Sequence, residues 1–261
     1  MIDTHCHLYL DQFDNDLDDV VQGAIRDGIQ RILVPGINVA TSLKSINLSS
    51  KYPENIFSAI GIHPNYSTDS NPSLILELLK SQLSRIVAIG EIGLDFYRDF
   101  SPRATQIEIF NKMLEFAKLF NLPVCIHNRN ADLELLTILD NFYAERVSDP
   151  NFELNGVFHA FDGSEKVAKW GISHDFTFGI GGLITYKKTD KIRNVVKWIG
   201  LSHLVLETDA PYLSPIPFRG KRNTPQYLGI TAQSLAEIFN CTLKNVIETT
   251  DENANRLFGF K

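Results

Sequence analysis

The chain has 261 residues, 44% of them hydrophobic, and a formal net charge of −6 from 31 acidic against 25 basic side chains. That length is enough to bury a large α/β core, and the negative balance excludes a protein that grips nucleic acid through a broad basic surface, while leaving room for a locally positive cleft. No stretch reaches the roughly 20 uncharged apolar residues of a membrane span, and "MIDTHCHLYLDQFD" lacks the basic start and apolar run of a signal peptide, so a cytoplasmic protein without a membrane partner is expected.

In chain order, eight short apolar runs rich in β-branched residues alternate with longer stretches of helical period. They are residues 2–8, 31–37, 57–64, 86–95, 122–129, 156–161, 176–182 and 204–212. Two of the intervening helices carry clear start and stop signals. "DNDLDDVVQGAIRDG" has acids in its first turn and a glycine at its end. "SPRATQIEIFNKMLEFAKLF" offers Ser101 as N-cap and Pro102 at the first helical position, with Ile107, Phe110, Leu114 and Ala117 on one face. Strand then helix, eight times over, predicts a single α/β domain over residues 1–261: a closed (β/α)8 barrel, with an open doubly wound sheet as the alternative. Two further helical stretches follow the eighth strand.

The metal-capable side chains cluster at one end of these runs. His5 and His7 close the first strand, one residue apart, so that in extended backbone both imidazoles share a face and Cys6 points the other way, toward the helices. His63 closes the third strand, Glu91 lies near the end of the fourth, His127 ends the fifth, His159 lies late in the sixth and Asp209 ends the eighth. The C-terminal strand ends of a barrel form one rim, so these scattered residues are expected to meet in one cavity. Taken singly, each histidine reads as a hydrogen-bonded core residue. Taken together, unpaired imidazoles and carboxylates buried at one rim call for a cation to balance them. Cys6 is rejected as a ligand by its face. Cys125 reads as packing one layer deeper, and His174 and His203 as helix or loop residues. With no C-x-x-C, the three cysteines read as reduced thiols.

The stretches "DTHCHL", "GIHP", "IGEIGLDF", "LPVCIHNR", "HAFDG", "ETDAPYL" and "RGKRNTP" together resemble the TatD-like metal-dependent hydrolases, a family that includes magnesium- or zinc-dependent deoxyribonucleases. The resemblance spans nearly the whole chain. Asn130, Phe96, Ala160 and Asp162 depart from the family's usual residues, and none of these departures removes a ligand. The resemblance implies two divalent ions, zinc, magnesium or manganese. One would lie on His5, His7, Glu91 and Asp209, the second on Glu91, His127 and His159, with Glu91 bridging. It also implies Asp209 and Glu91 as catalytic residues, and His63, Arg129 and Arg222 as substrate contacts. Arg98 and the Lys187–Lys188 pair are further candidates for flanking phosphates, set against a reading as solvated surface charge.

Three functions follow as expectations. A metal-dependent phosphodiesterase would act on DNA from a strand end, because a barrel mouth admits a terminus more readily than the middle of a duplex. The same centre could instead attack a carboxylic ester or amide, since fold and metals do not fix substrate. A non-catalytic, metal-stabilised scaffold is the third reading, and six shared ligands with room for water argue against it.

Overall fold

The computed structural model describes residues 1–98, 100–144 and 153–260. The chain runs β1 (Ile2–Asp3), α1 (Leu17–Arg26), β2 (Arg31–Pro35), α2 (Val39–Lys51), β3 (Ile56–Ile60), α3 (Pro72–Gln82), β4 (Ile86–Asp95), α4 (Arg103–Phe120) and β5 (Val124–Arg129). It continues through α5 (Asp132–Ala144), β6 (Gly156–Phe158), α6 (Glu165–Ser173), β7 (Thr177–Ile180), α7 (Asp190–Ile199), β8 (Leu204–Leu206), α8 (Leu228–Phe239) and α9 (Leu243–Phe258). All eight strands are parallel, and each pairs with its neighbours in sequence. The ring closes between β8 and β1, where Thr4 N–H donates to the Leu206 carbonyl at 2.9 Å and Cys6 bridges Ala210 in parallel register. This is the (β/α)8 barrel expected from the alternating pattern, with metal-capable residues at the strand ends. Among the described residues, no helix is long and apolar enough to cross a membrane.

Two local expectations shift. Regular pairing of the first strand ends at Asp3, well short of residue 8, because the Asp3 carboxylate accepts the backbone N–H groups of His5 and Thr208 and so competes with the ladder. In α4, Pro102 is the cap residue and the helix begins at Arg103. Ser101 is drawn away: its hydroxyl accepts the Thr68 N–H and its carbonyl accepts from Gln106.

The apolar interior has two parts. Between barrel and helices lies the larger core, with Cys6, Phe110, Phe158 and Phe178 among its buried members. Inside the lower half of the barrel, Ile2, Leu33, Ala59, Ala88, Cys125, Val157 and Val205 form a second core, closed from below by Phe258 and Phe260 at the end of the chain. Filling the interior with side chains makes the barrel a packed core with a floor, so any cavity it offers opens at the C-terminal ends of the strands.

Candidate metal centre

Strand alternation carries the lower core upward into polar chemistry. On β5, Cys125 gives way to His127 on the same face; past β6, Val157 gives way to His159; past β8, Val205 gives way to Glu207 and Asp209. In β4 simple alternation fails. Ala88 belongs to the inner core while Ile89, Ile92 and Leu94 belong to the outer one, and the register with β5 slips between Ile89 and Ile92. The extra residue of this bulge turns Glu91 inward, where an unbroken strand would have aimed it at the helices. Gly93, at φ +135°, permits the close approach that follows: a Cβ there would lie 2.0 Å from the His127 carbonyl oxygen.

Glu91 is the hub. Its Oε2 lies 3.3 Å from His5 Nε2 and 3.6 Å from His7 Nε2. Its Oε1 lies 2.9 Å from His127 Nδ1, 3.4 Å from His63 Nε2 and 3.8 Å from His159 Nε2. Asp209 joins through Oδ1, 3.4 Å from His7 Nε2 and 4.0 Å from His159 Nε2. His159 also stacks on His5, with ring centroids 3.4 Å apart. Four of the expected ligands therefore surround Glu91, and Asp209 joins them through His7 and His159. His63, expected as a contact to substrate phosphate or as a support behind a ligand, forms a compact donor trio with Glu91 and His127, and His159 groups with His5 and Asp209. Glu91 Oε1 faces both His127 and His159, the second set that the family resemblance implies, and His63 approaches the same oxygen.

The electrostatics follow from crowding. Burial pushes the Glu91 carboxyl upward, yet His63, His159, His127 and His5 together hold it well below the usual carboxylate range. Burial also raises Asp209, and His7 and His159 bring it below its ordinary value. Among the imidazoles, burial drives His5 down to about 4 and His63 down to about 3. His159 is also disfavoured as a cation by burial, but Glu207 and Glu91 outweigh that and lift it to about 10. Glu91 and Asp209 are held ionised, and the low values of His5 and His63 leave lone pairs on neutral imidazoles, the donor chemistry a divalent cation needs, whereas His127 and His159, lifted by the acids beside them, would release a proton to join it.

The distances agree with that chemistry. A tetrahedral divalent ion with ligands at about 2.0–2.1 Å has donor-to-donor edges of about 3.3 Å. The Nε2 atoms of His5 and His7 are 3.2 Å apart, and each lies 3.3–3.6 Å from Glu91 Oε2. Two imidazole nitrogens that close in a dry site fit one shared cation. The residues present therefore fit a metal ion.

Around this centre stand residues that the sequence reading passed over. Glu207 faces His159 Nδ1 at 3.2 Å and accepts the Ala160 N–H at 2.7 Å. Gly179 makes room for it, since a Cβ there would lie 2.1 Å from Glu207 Oε2. Asp95 faces His127 Nε2 at 3.5 Å and accepts the N–H groups of Tyr97 and Arg98. The Tyr9 hydroxyl lies 2.8 Å from His7 Nδ1. Partners of this kind fix ring orientation and tautomer. Two of them had a signal: Glu207 is two residues before Asp209, and Asp95 four after Glu91, each on the inward face of its strand end.

The remaining expected residues fall outside the cluster. The Arg129 guanidinium lies 4.0 Å from the centroid of the Tyr97 ring, over its face. Arg222 makes a two-toothed ion pair with Asp16 at the start of α1, donates to the Gln12 carbonyl and lies over Phe13. Lys187 and Lys188 are exposed. His174 stacks on Trp170, and His203 lies in a turn before β8.

The sequence profile of the family described as TatD related DNase matches residues 2–259. A Bacillus subtilis protein named "Uncharacterized metal-dependent hydrolase YabD" is 39% identical, over 99% of this chain and 98% of its own. The human protein named "Deoxyribonuclease TATDN3" is 30% identical, over 99% of this chain and 94% of its own. The crystal structure of YjjV, a TatD homolog from Escherichia coli K12, superposes with a TM-score of 0.90 at 28% identity, covering 99% of this chain and 98% of that one. With the profile running from the first strand to the last helix and relatives matched over nearly their full length, the chain belongs to the TatD related DNase family.

Proposed function

We propose that the chain is a metal-dependent phosphodiesterase that degrades DNA from a strand end, at a centre where the residues around Glu91 would hold two divalent ions. The observation that carries this reading is the division of labour within that one carboxylate, with Oε2 toward His5 and His7 and Oε1 toward His127, His63 and His159. Bound at such a site, divalent ions polarise a phosphoryl oxygen and lower the pKa of a water. The protein's own groups do the rest. Asp209, held ionised beside His7, is placed to orient that water and accept its proton at the carboxylate. Glu207 and Asp95 hold the rings of His159 and His127 in place. His63 and Arg129 are the proposed contacts for the phosphate flanking the scissile bond. Arg222 reaches a phosphate only by giving up Asp16.

The reading gains support from the relative named a deoxyribonuclease. It is tested by stripping the protein with chelator, restoring zinc, magnesium or manganese separately, and offering linear single-stranded DNA, covalently closed circles, RNA and small carboxylic esters. Progressive loss of linear strands, with closed circles spared, is the expected result. Prompt cutting of closed circles would overturn the end-directed part. Turnover of esters with every phosphodiester untouched would overturn the nuclease reading and favour acyl chemistry at the same centre.

A further inference from the structure

The floor beneath the barrel is built from one side. Helix α9, which carries it, packs against α8, β8 and β1. Past its end the Phe260 ring reaches Phe57 at the start of β3, with centroids 4.6 Å apart, and Arg31 lies over Phe260 while donating to Asn255. Below the starts of β3 to β6, outside the packed interior, the last turn of α9 and the strand ends enclose a cavity of about 600 Å³. Its apolar walls include Phe57, Val87, Pro123 and Leu257, each only partly buried. The volume falls within the roughly 300–1,000 Å³ of small-molecule sites. It lies at the opposite end of the strands from the metal centre and shares no residue with it.

Charge on the rim narrows what would fit. Arg85, in the turn that enters β4, and Arg256, in the last turn of α9, both border the cavity and are exposed. Among the described residues neither forms an ion pair: Arg85 donates to the Ser49 carbonyl at 3.4 Å, a long bond, and Arg256 has no hydrogen-bond partner. Glu153 is the one acid among the lining residues, just before β6 and two strands round the ring from Arg85. Two guanidinium groups against one carboxylate leave the rim net positive. A guanidinium recognises a carboxylate or phosphate head through paired N–H donors, and partly covered apolar walls favour a ligand that removes them from water.

We propose that the cavity beneath β3 to β6 is a binding site for a small organic anion, a carboxylate or phosphate monoester with an apolar body of ring size. The head is drawn to Arg85 and Arg256, and the body lies against Phe57, Val87 and Leu257. Such a ligand ties the strand starts to the end of α9 and completes the floor on its open side. It therefore stabilises the folded barrel without entering the metal centre, and the inference stands apart from the nuclease reading.

The test titrates the full, metal-loaded chain with naphthoate, with naphthylphosphonate as a stable stand-in for a phosphate monoester, with uncharged naphthylmethanol and with inorganic phosphate. Binding is read by calorimetry and by the shift in melting temperature. At least one of the two organic anions is expected to bind saturably and raise the melting temperature, and which of them does so identifies the head group. Naphthylmethanol and inorganic phosphate, each lacking half of the chemistry, should bind much more weakly. Arg85→Gln and Arg256→Gln are each expected to weaken binding about 10- to 100-fold, the worth of a hydrogen bond to a charged group. Ser84→Trp, at an exposed lining position, should fill the cavity and abolish binding while the unliganded protein melts as before. Binding should survive removal of metal by chelator, whereas an anion held at the metal centre would be lost with the ions. The site is refuted if neither organic anion binds at millimolar concentration, if naphthylmethanol binds as tightly as the anions, if both Gln variants bind within twofold of wild type, or if binding disappears with the metal.

Discussion

The lower and upper halves of the barrel interior share the same strands and hold opposite chemistry. Below, Ile2, Leu33, Ala59, Ala88, Cys125, Val157 and Val205 pack together above the Phe258 and Phe260 floor. Above, often a single alternation step further along, stand His127, His159 and Glu207, with His5, His7, Glu91 and Asp209 gathered against them. Apolar burial below contributes stability at roughly 25 cal/mol per Å² removed from water. Burial above works against stability, since it disfavours every charge there and is offset only by mutual pairing or by a cation. One half of the interior holds the fold together, and the other draws on that stability to keep donors dry and close.

Substitutions in each half should therefore fail in different ways. Glu91→Ala is expected to have the largest effect, removing the carboxylate whose two oxygens face the two donor groups: hydrolysis should fall at least about a thousandfold and bound metal should be lost, with the barrel still folded by circular dichroism. Most of the activity surviving at saturating metal would break the comparison. Phe258→Ala should do the reverse. Opening the floor costs about 3 kcal/mol or more in a denaturant titration, and metal content per folded molecule should stay the same. Loss of metal there would mean that the halves are coupled.

A smaller effect sharpens the boundary within the upper half. Glu207→Gln keeps the size of the side chain but weakens the hold on His159, so affinity for the metal should drop about 10- to 100-fold in competition with a chelator. The smallest effect is expected at Cys6. The thiol packs in the helix-facing core, and burial holds its pKa well above the ordinary value. Cys6→Ser should leave metal content unchanged and cost on the order of 1 kcal/mol of stability. A stoichiometric loss of metal in that variant would show that the face argument at residues 5 to 7 is wrong.

Legibility in the sequence follows the same division. The strand and helix alternation is a period, and it can be read directly; the order of the eight strands and the rim position of His5, His7, His127, His159 and Asp209 follow from it. The rim position of Glu91 is legible too, but its inward direction depends on a bulge that no hydrophobic pattern marks, since Ile89, Ile92 and Leu94 look like one continuous buried strand. The grouping of His63 with His127 depends on ångström-scale side-chain geometry, which spacing does not encode. Strand parity points to Glu207 and Asp95, yet an acid beside an expected ligand reads as part of the same turn, which hides both. The pairing of Arg222 with Asp16 joins residues 206 positions apart, and nothing local in either segment announces it.

The seam between the first and last strands has a consequence for folding. Thr4 meets Leu206, the His5 carbonyl accepts from Asp209, and His7 donates to Ala210, so the residues that join the two ends of the barrel flank or supply the donors of the centre. Contacts this distant in sequence form late, after most of the chain has been ordered. The donor set is therefore complete only once the ring has closed. A cation held by His5, His7 and Asp209 would act as a clasp on the longest loop of the molecule, slowing its opening more than it speeds its closing, and so lengthening the lifetime of the folded state.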